Sequence, residues 1–332
     1  MRTTSATAGA VAIGIALSAV VTTSVGAAPA VAGTTSSCTG STITVDALST
    51  GCAVSSGTVV LPDGRRFAVP SAGTTVSSLP VAAVGAADPG DVSLTNTGRS
   101  GIAVAVDGSW SGSEAAVRKQ RAVEQHRRSL TVSGPMAATT TTTTPASSCT
   151  NRTYTLLGYH WNAPVQWRSN STGAKATDVA AIRAGADAWT GTISTCGRTI
   201  TSGARDTYLG GTTQAPAVSA TGGCGASNGT SVTGWGPLKA GTLATTCVWS
   251  RGGVAVEVDQ RYTTAYAWSS ASTCSGTRFD LRGVATHEWG HAYGLGHTLQ
   301  TSGLVMKPAS SPCDLGQRRL GLGDAFGIDT VY

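Results

Sequence analysis

The chain has 332 residues, a net charge of +6 and only 5% aromatic residues, enough length for one or two domains with a real core. The modest positive charge is not gathered into a basic face interleaved with aromatics, which argues against nucleic acid as a partner. Gly, Ala, Ser and Thr dominate and Arg outnumbers Lys, a composition typical of a high-GC bacterial gene.

Residues 1–32 read as a secretory signal. Arg2 gives a positive start, Ala8 to Val21 is a short apolar run, and Ala30-Val31-Ala32 offers a small-residue cleavage site. The run is shorter than the ~20 residues that span a bilayer, and no later segment is apolar enough, so no stable membrane association is expected. Eight cysteines suit an oxidising, extracellular location and predict disulfides. Cys38 and Cys52 stand apart from Cys149, Cys196, Cys224, Cys247, Cys274 and Cys313, which predicts one bridge early and three late; the later pairing is open from sequence.

Residues 33–138 form a pro-region or accessory unit in this reading. Thr58 to Leu61 and Phe67 to Val69 flank the turn-forming Pro62-Asp63-Gly64, which predicts a small β-rich region. Ser113 to Leu130 lacks Gly and Pro and carries Arg118, Lys119, Arg121, Arg127 and Arg128, the mark of a basic helix. Thr139 to Thr144 with Pro145 cannot bury a core, so 139–148 is read as a linker and 149–332 as a second domain.

Within 149–332, Tyr154 to Leu157 and Val165 to Trp167 read as short strands. Thr177 or Asp178 can then cap a helix whose apolar stripe is Val179, Ile182, Ala186 and Trp189. Leu243 to Trp249 and Gly252 to Asp259 read as two further strands, followed by Tyr262, Tyr266 and Trp268 as packing residues. Asp280 is placed to cap the next helix.

That helix carries the chemistry. His287, Glu288, His291, Gly294 and His297 form the pattern HExxHxxGxxH. Residues i and i+4 share a helix face, so His287 and His291 can aim at one metal ion, while Glu288 is turned aside, within reach of a bound water. Gly294 can adopt the left-handed conformation that ends a helix, and His297 then completes a three-histidine set with one coordination position open, as in catalytic rather than structural zinc. Three of the chain's five histidines lie in this motif, whereas His160 is a lone strand histidine. The chemistry implied is hydrolysis of an amide, with Glu288 as general base. The competing reading is a non-catalytic secreted binding protein that keeps the scaffold. The intact Glu288 speaks against it, because nothing structural demands a carboxylate there.

These residues resemble the metzincin metallopeptidases, most closely the matrixins. Gly303 to Pro308 resembles the family's methionine turn, with Met306 beneath the metal, and Leu320 to Tyr332 resembles its closing helix. The resemblance implies an α+β zincin-like fold with a twisted mixed sheet, about three helices and a zinc cleft. It further implies one catalytic zinc held by His287, His291 and His297, and protein or peptide substrates. A secreted monomer is the expected form. Leu243 to Trp249 would be the edge strand above the cleft, where an extended peptide could add to the sheet.

The chain departs from the family in three places. The PRCGxPD latency motif is missing, so residues 33–138, if they hold the enzyme inactive, do so differently. Pro308-Ala309-Ser310 lacks the tyrosine of the usual Pro-x-Tyr wall. No histidine lies between His160 and His287, and no acidic residue between Asp206 and Glu257, so calcium and a second zinc are not supported in that loop; disulfides are expected to replace them.

Overall fold

The computed structural model describes residues 38, 41–52, 54–131 and 148–332. The expected leader, residues 1–32, and the Thr-rich run before Ser148 lie outside the described residues. Among the described residues no helix is long and apolar enough to cross a membrane.

The first elements are β1 (Thr42–Thr44), α1 (Val45–Ser49), β2 (Thr58–Val60) and β3 (Arg66–Ala68), the three strands forming a small sheet of their own. Strands β2 and β3 pair antiparallel across the Pro62-Asp63-Gly64 turn, where Gly64 sits at φ +87° and donates its amide to the Leu61 carbonyl. Strands β4 (Thr74–Ala83), β5 (Val92–Asn96), β6 (Ile102–Val106) and β7 (Ser109–Gly112) then meander antiparallel into α2 (Glu114–Thr131).

After residue 148 come β8 (Thr155–Leu156), β9 (Val165–Ser169), α3 (Ala176–Asp187), β10 (Gly191–Thr195), β11 (Arg198–Ser202), β12 (Asp206–Gly211) and β13 (Ser231–Gly236). The long pair β14 (Thr242–Arg251) and β15 (Val254–Thr263) precedes β16 (Trp268–Ser269), β17 (Phe279–Asp280) and α4 (Leu281–Ala292). The chain closes with β18 (Leu295–Gly296), β19 (Ala309–Ser310) and α5 (Leu322–Val331).

One mixed sheet organises these elements, in the order β12-β9-β13-β15-β14-β4-β5-β6-β7, with β19 also on β4. The architecture is α+β, with a mixed sheet and several helices. The sequence reading placed Leu243–Trp249 at an edge, but β14 is interior: β4 pairs antiparallel along it from Thr242↔Ala82 to Arg251↔Thr74. Residues 76–83 are buried throughout, so β4 behaves as a central strand covered on both faces. Pro80 is tolerated inside it for a specific reason. The Ala82 amide donates to Pro308 and the Ala83 amide to Gly241, on opposite sides. Position 80 shares the orientation of position 82, and there β5 has already ended at Ser78 and β19 has not begun, so no donor is required.

Alternate residues of β14 serve two cores. Ala244 and Val248 face α3 and α4, in a cluster with Trp167, Ile182, Trp189, Tyr262 and Trp289. Cys247 and Trp249 face the other way, with Val76, Leu94, Ile102 and Phe67. Helix α3 begins after Lys175, whose backbone amide is accepted by the Asp178 carboxylate at 2.8 Å, so Asp178 works from inside the first turn instead of capping it. Its buried face is Ala181, Ile182, Gly185 and Ala186, and Val179 is only half-buried.

Four disulfides, Cys38–Cys52, Cys149–Cys196, Cys224–Cys247 and Cys274–Cys313, brace the loops. Cys224–Cys247 ties the long loop after β12 to β14. The same loop is held by Glu257, which accepts from the Ser227 hydroxyl and the Asn228 and Gly229 amides, and by Asp259, which accepts from the Ala217 and Val232 amides. Burial raises the Asp259 pKa to about 7 in spite of those amides.

Helices α3 and α4 touch at Gly185. A Cβ built there would lie 2.7 Å from the Ala285 carbonyl carbon and 2.8 Å from the Thr286 nitrogen, closer than packed atoms approach. Gly185→Val is expected to lower the unfolding free energy in urea by about 1–3 kcal/mol, and a change below about 0.5 kcal/mol would show that the helices can separate freely there.

Candidate metal centre

Helix α4 is almost wholly buried, an unusual place for two histidines and a glutamate. Its start is fixed by Asp280, which accepts the Gly283 amide at 2.8 Å and is itself gripped by Arg318. Its end is fixed by Gly294, at φ +106°, where a Cβ would lie 2.4 Å from the Tyr159 carbonyl oxygen. Both the conformation and the close approach require glycine. The reversal lets β18 deliver His297 beneath the helix, as the spacing predicts.

The three imidazoles meet through one atom each. His297 Nε2 is 3.2 Å from His287 Nε2 and 3.1 Å from His291 Nε2. The other ring nitrogens are engaged: His287 Nδ1 with the Val305 carbonyl and His291 Nδ1 with the Leu295 carbonyl, both at 2.8 Å. A carbonyl only accepts, so Nδ1 carries the proton and Nε2 presents a lone pair. His297 Nδ1 faces an Asp91 carboxylate oxygen at 3.2 Å. Lone pairs so close repel unless a cation lies between them, and ligands about 2.0–2.1 Å from a tetrahedral ion would stand roughly 3.3 Å apart. The donor set therefore fits one zinc-like ion, and these three residues form the metal-competent cluster found among the described residues.

Electrostatics agree with that fit. Burial, reinforced by His297, pushes the His287 pKa down to about 3, and burial with both neighbouring imidazoles pushes His291 well below its ordinary value. Burial also opposes charge on His297, but the Asp91 carboxylate outweighs it and leaves His297 raised. Glu288 is fully buried beside the cluster. Its Oε2 accepts from the Thr246 hydroxyl at 2.5 Å, and its Oε1 has no protein partner. Burial, with a smaller push from Asp91, holds the Glu288 pKa well above the usual carboxylate range against the Thr246 hydrogen bond.

Met306 is buried below the helix, and a Cβ on Gly290 would lie 2.3 Å from its sulfur. Its turn is held by Asp324 of α5, which accepts the Val305 and Met306 amides and the Gly321 amide. The turn in turn supplies the Val305 carbonyl to His287. His160 is not part of the cluster; it is exposed and bonded to Asn162. Thr246, Asp91 and Asp324 were not found from the sequence. Asp324 lies in the expected closing helix and Thr246 in an expected strand, but nothing in their spacing marks them, and Asp91 gave no signal beyond a turn.

Residues 236–332 match the family model for matrixins, a peptidase family. A comparison with curated proteins finds no match. The matched stretch runs from the end of β13 through α4, the three histidines and Met306 to α5, so the chain carries a matrixin-like catalytic domain of metallopeptidase type. It includes neither β4 nor Asp91.

In metal-free protein, the histidine nitrogens should titrate unequally by NMR. His297 is expected to take its proton first as pH falls, above the ordinary pKa near 6.5, while His287 stays neutral until near pH 3. Since unfolded histidines protonate near 6.5, the contribution of neutral His287 to stability is present above that pH and is lost as pH falls toward 3. His287 protonating first would contradict the environment described.

Proposed function

We propose, from the matrixin-like character of residues 236–332, that the protein is a secreted zinc-dependent endopeptidase held as a zymogen by residues 33–138. The observation that carries this reading is the convergence of three Nε2 lone pairs beside a carboxylate with one oxygen unpartnered. His287, His291 and His297 would hold the ion. Zinc bound there supplies Lewis acidity toward a scissile carbonyl and lowers the pKa of a water. Four disulfides support an extracellular location.

The protein's own residues divide the remaining work. Glu288 Oε1 takes the proton of the attacking water and delivers it to the departing amine. A raised pKa suits a group that must both accept and return a proton near neutrality. Thr246 is a positioning residue: by holding Oε2 it fixes which oxygen faces the reacting atoms. The backbone carbonyls of Val305 and Leu295 fix the tautomers of His287 and His291, which keeps both rings aimed at one point. The loop after β12 needs no second ion, since Glu257, Asp259 and Cys224–Cys247 already anchor it.

Two variants test the assignment. Glu288→Gln should keep one zinc per chain by metal analysis while hydrolysis of unfolded casein falls about 10²–10⁴-fold; unchanged cleavage would remove Glu288 from the chemistry. Thr246→Val should lower kcat about tenfold with little change in KM, the worth of one hydrogen bond to a charged group, and Thr246→Ser should restore it. A rise confined to KM would make Thr246 a substrate contact instead.

A further inference from the structure

The first turn of α4, ahead of the histidines, borders a cleft of its own. We infer that this cleft binds a doubly charged oxyanion, a sulfate or phosphate group, through Arg282 and Arg319. The cleft shares no residue with the three-histidine cluster or with Glu288.

Its volume is about 510 Å³, inside the roughly 300–1,000 Å³ of small-molecule sites. Ser272, Arg282, Leu315, Gly316, Arg318 and Arg319 line it, so three guanidinium side chains meet there and no carboxylate does. The walls are the loop around Ser272, the start of α4 and a short helical turn, Leu315–Arg318. The Cys274–Cys313 disulfide joins the first wall to the third, and the Cys313 amide donates to the Arg278 carbonyl at 2.8 Å. Arg318 crosses the same gap, donating to the Ala271 carbonyl at 2.6 Å and the Ser272 carbonyl at 3.0 Å. The cleft is therefore shaped before any ligand arrives, which lowers the ordering cost of binding.

The charges in it do not balance. Arg318 is matched by Asp280, and the neighbouring Asp314 carboxylate is taken by Lys307. Among the described residues no carboxylate pairs with Arg282 or Arg319. The Nε of Arg282 is shut away from solvent and has no acceptor, an arrangement that costs free energy until one is supplied. Arg319 is exposed and brings a second guanidinium without a counter-charge to the same cleft.

The position of Arg282 in the helix sharpens the imbalance. It is the second residue of α4, whose first turn holds no acidic residue. Unsatisfied amides make that end of a helix positive, so a cation there is unfavourable and an anion is favoured. One bound oxyanion would accept from the enclosed Nε, neutralise both guanidinium groups and place negative charge at the helix start. Two uncompensated positive charges match a dianion, whereas a single carboxylate would leave one of them unanswered.

The test titrates sodium sulfate and sodium phosphate into the zinc-loaded full chain by calorimetry, with ionic strength held constant by chloride. Saturable binding of one anion per chain is expected, weakened about tenfold or more in Arg282→Met and in Arg319→Met, as befits the loss of a charge-assisted hydrogen bond. Arg282→Lys should recover only part of the affinity, because an ammonium lacks the guanidinium fork. Thermal stability should cross over: in chloride Arg282→Met melts at or above the parent's temperature, having lost a cation from the helix start, and in saturating sulfate it melts below the parent. Arg319 is exposed, so its variant tests the site even if Arg282→Met does not fold. Equal anion binding by the parent and both variants would overturn the inference. So would a lower melting temperature for Arg282→Met in both salts, or a sulfate effect that never saturates and is the same in every variant, the general action of an excluded salt. Should a short polyglutamate peptide bind at the arginines while both inorganic anions fail, the ligand is a carboxylate and the oxyanion claim falls.

Discussion

Three imidazole lone pairs aimed at one another, two of them on fully buried rings and the third on a partly buried one, are the constraint on which this structure depends. Unpaired, they are a costly arrangement for an interior to hold, because the two buried nitrogens are removed from water and each faces another acceptor. Much of the surrounding structure serves to keep them there. The Val305 and Leu295 carbonyls fix the outer nitrogens, Gly294 turns the chain under the helix, and Gly290 admits the Met306 sulfur. Asp324 then holds the turn that supplies the Val305 carbonyl. The helix, the turn and the closing helix act as a single support whose common purpose is the aim of three side chains.

The same site draws on residues far from it in the chain. Thr246 arrives on the central strand β14 and Asp91 from the hairpin region before residue 112. Because β4 continues the sheet past β14, the first third of the chain is not merely adjacent to the metal centre; it shares backbone hydrogen bonds with the strand that positions Glu288. Any change in how β4 docks must therefore reach Glu288 through Thr246 and the third histidine through Asp91. That coupling gives the fold a physical means of linking the state of its N-terminal region to the chemistry.

What could be read from the sequence was what is encoded locally. Helical spacing places His287 and His291 on one face, and a single glycine at the right offset brings in His297. Asp280 at the helix start and the early and late grouping of cysteines follow equally local rules. Strand register is not local. One neighbour of β14 is its hairpin partner β15, but the other, β4, is set by pairing between residues well over a hundred positions apart, and β4, reading Thr-Thr-Val-Ser-Ser-Leu-Pro-Val-Ala-Ala, breaks its alternation and carries a proline that argues against a central strand. Leu243–Trp249 was accordingly expected at an edge, and Asp91 and Thr246 were invisible, since one sits in a turn and the other looks like any β-branched strand residue. Pro80 is accommodated only because the sheet has a gap at that position, a fact of tertiary structure.

X-ray absorption at the zinc edge of the loaded full chain tests the central claim most directly. The account predicts three imidazole nitrogens at about 2.0–2.1 Å and one further light-atom ligand from solvent. Two imidazoles with a protein carboxylate, a sulfur ligand, or a fourth protein nitrogen would contradict it, because each would leave either His297 outside the centre or no position open for water.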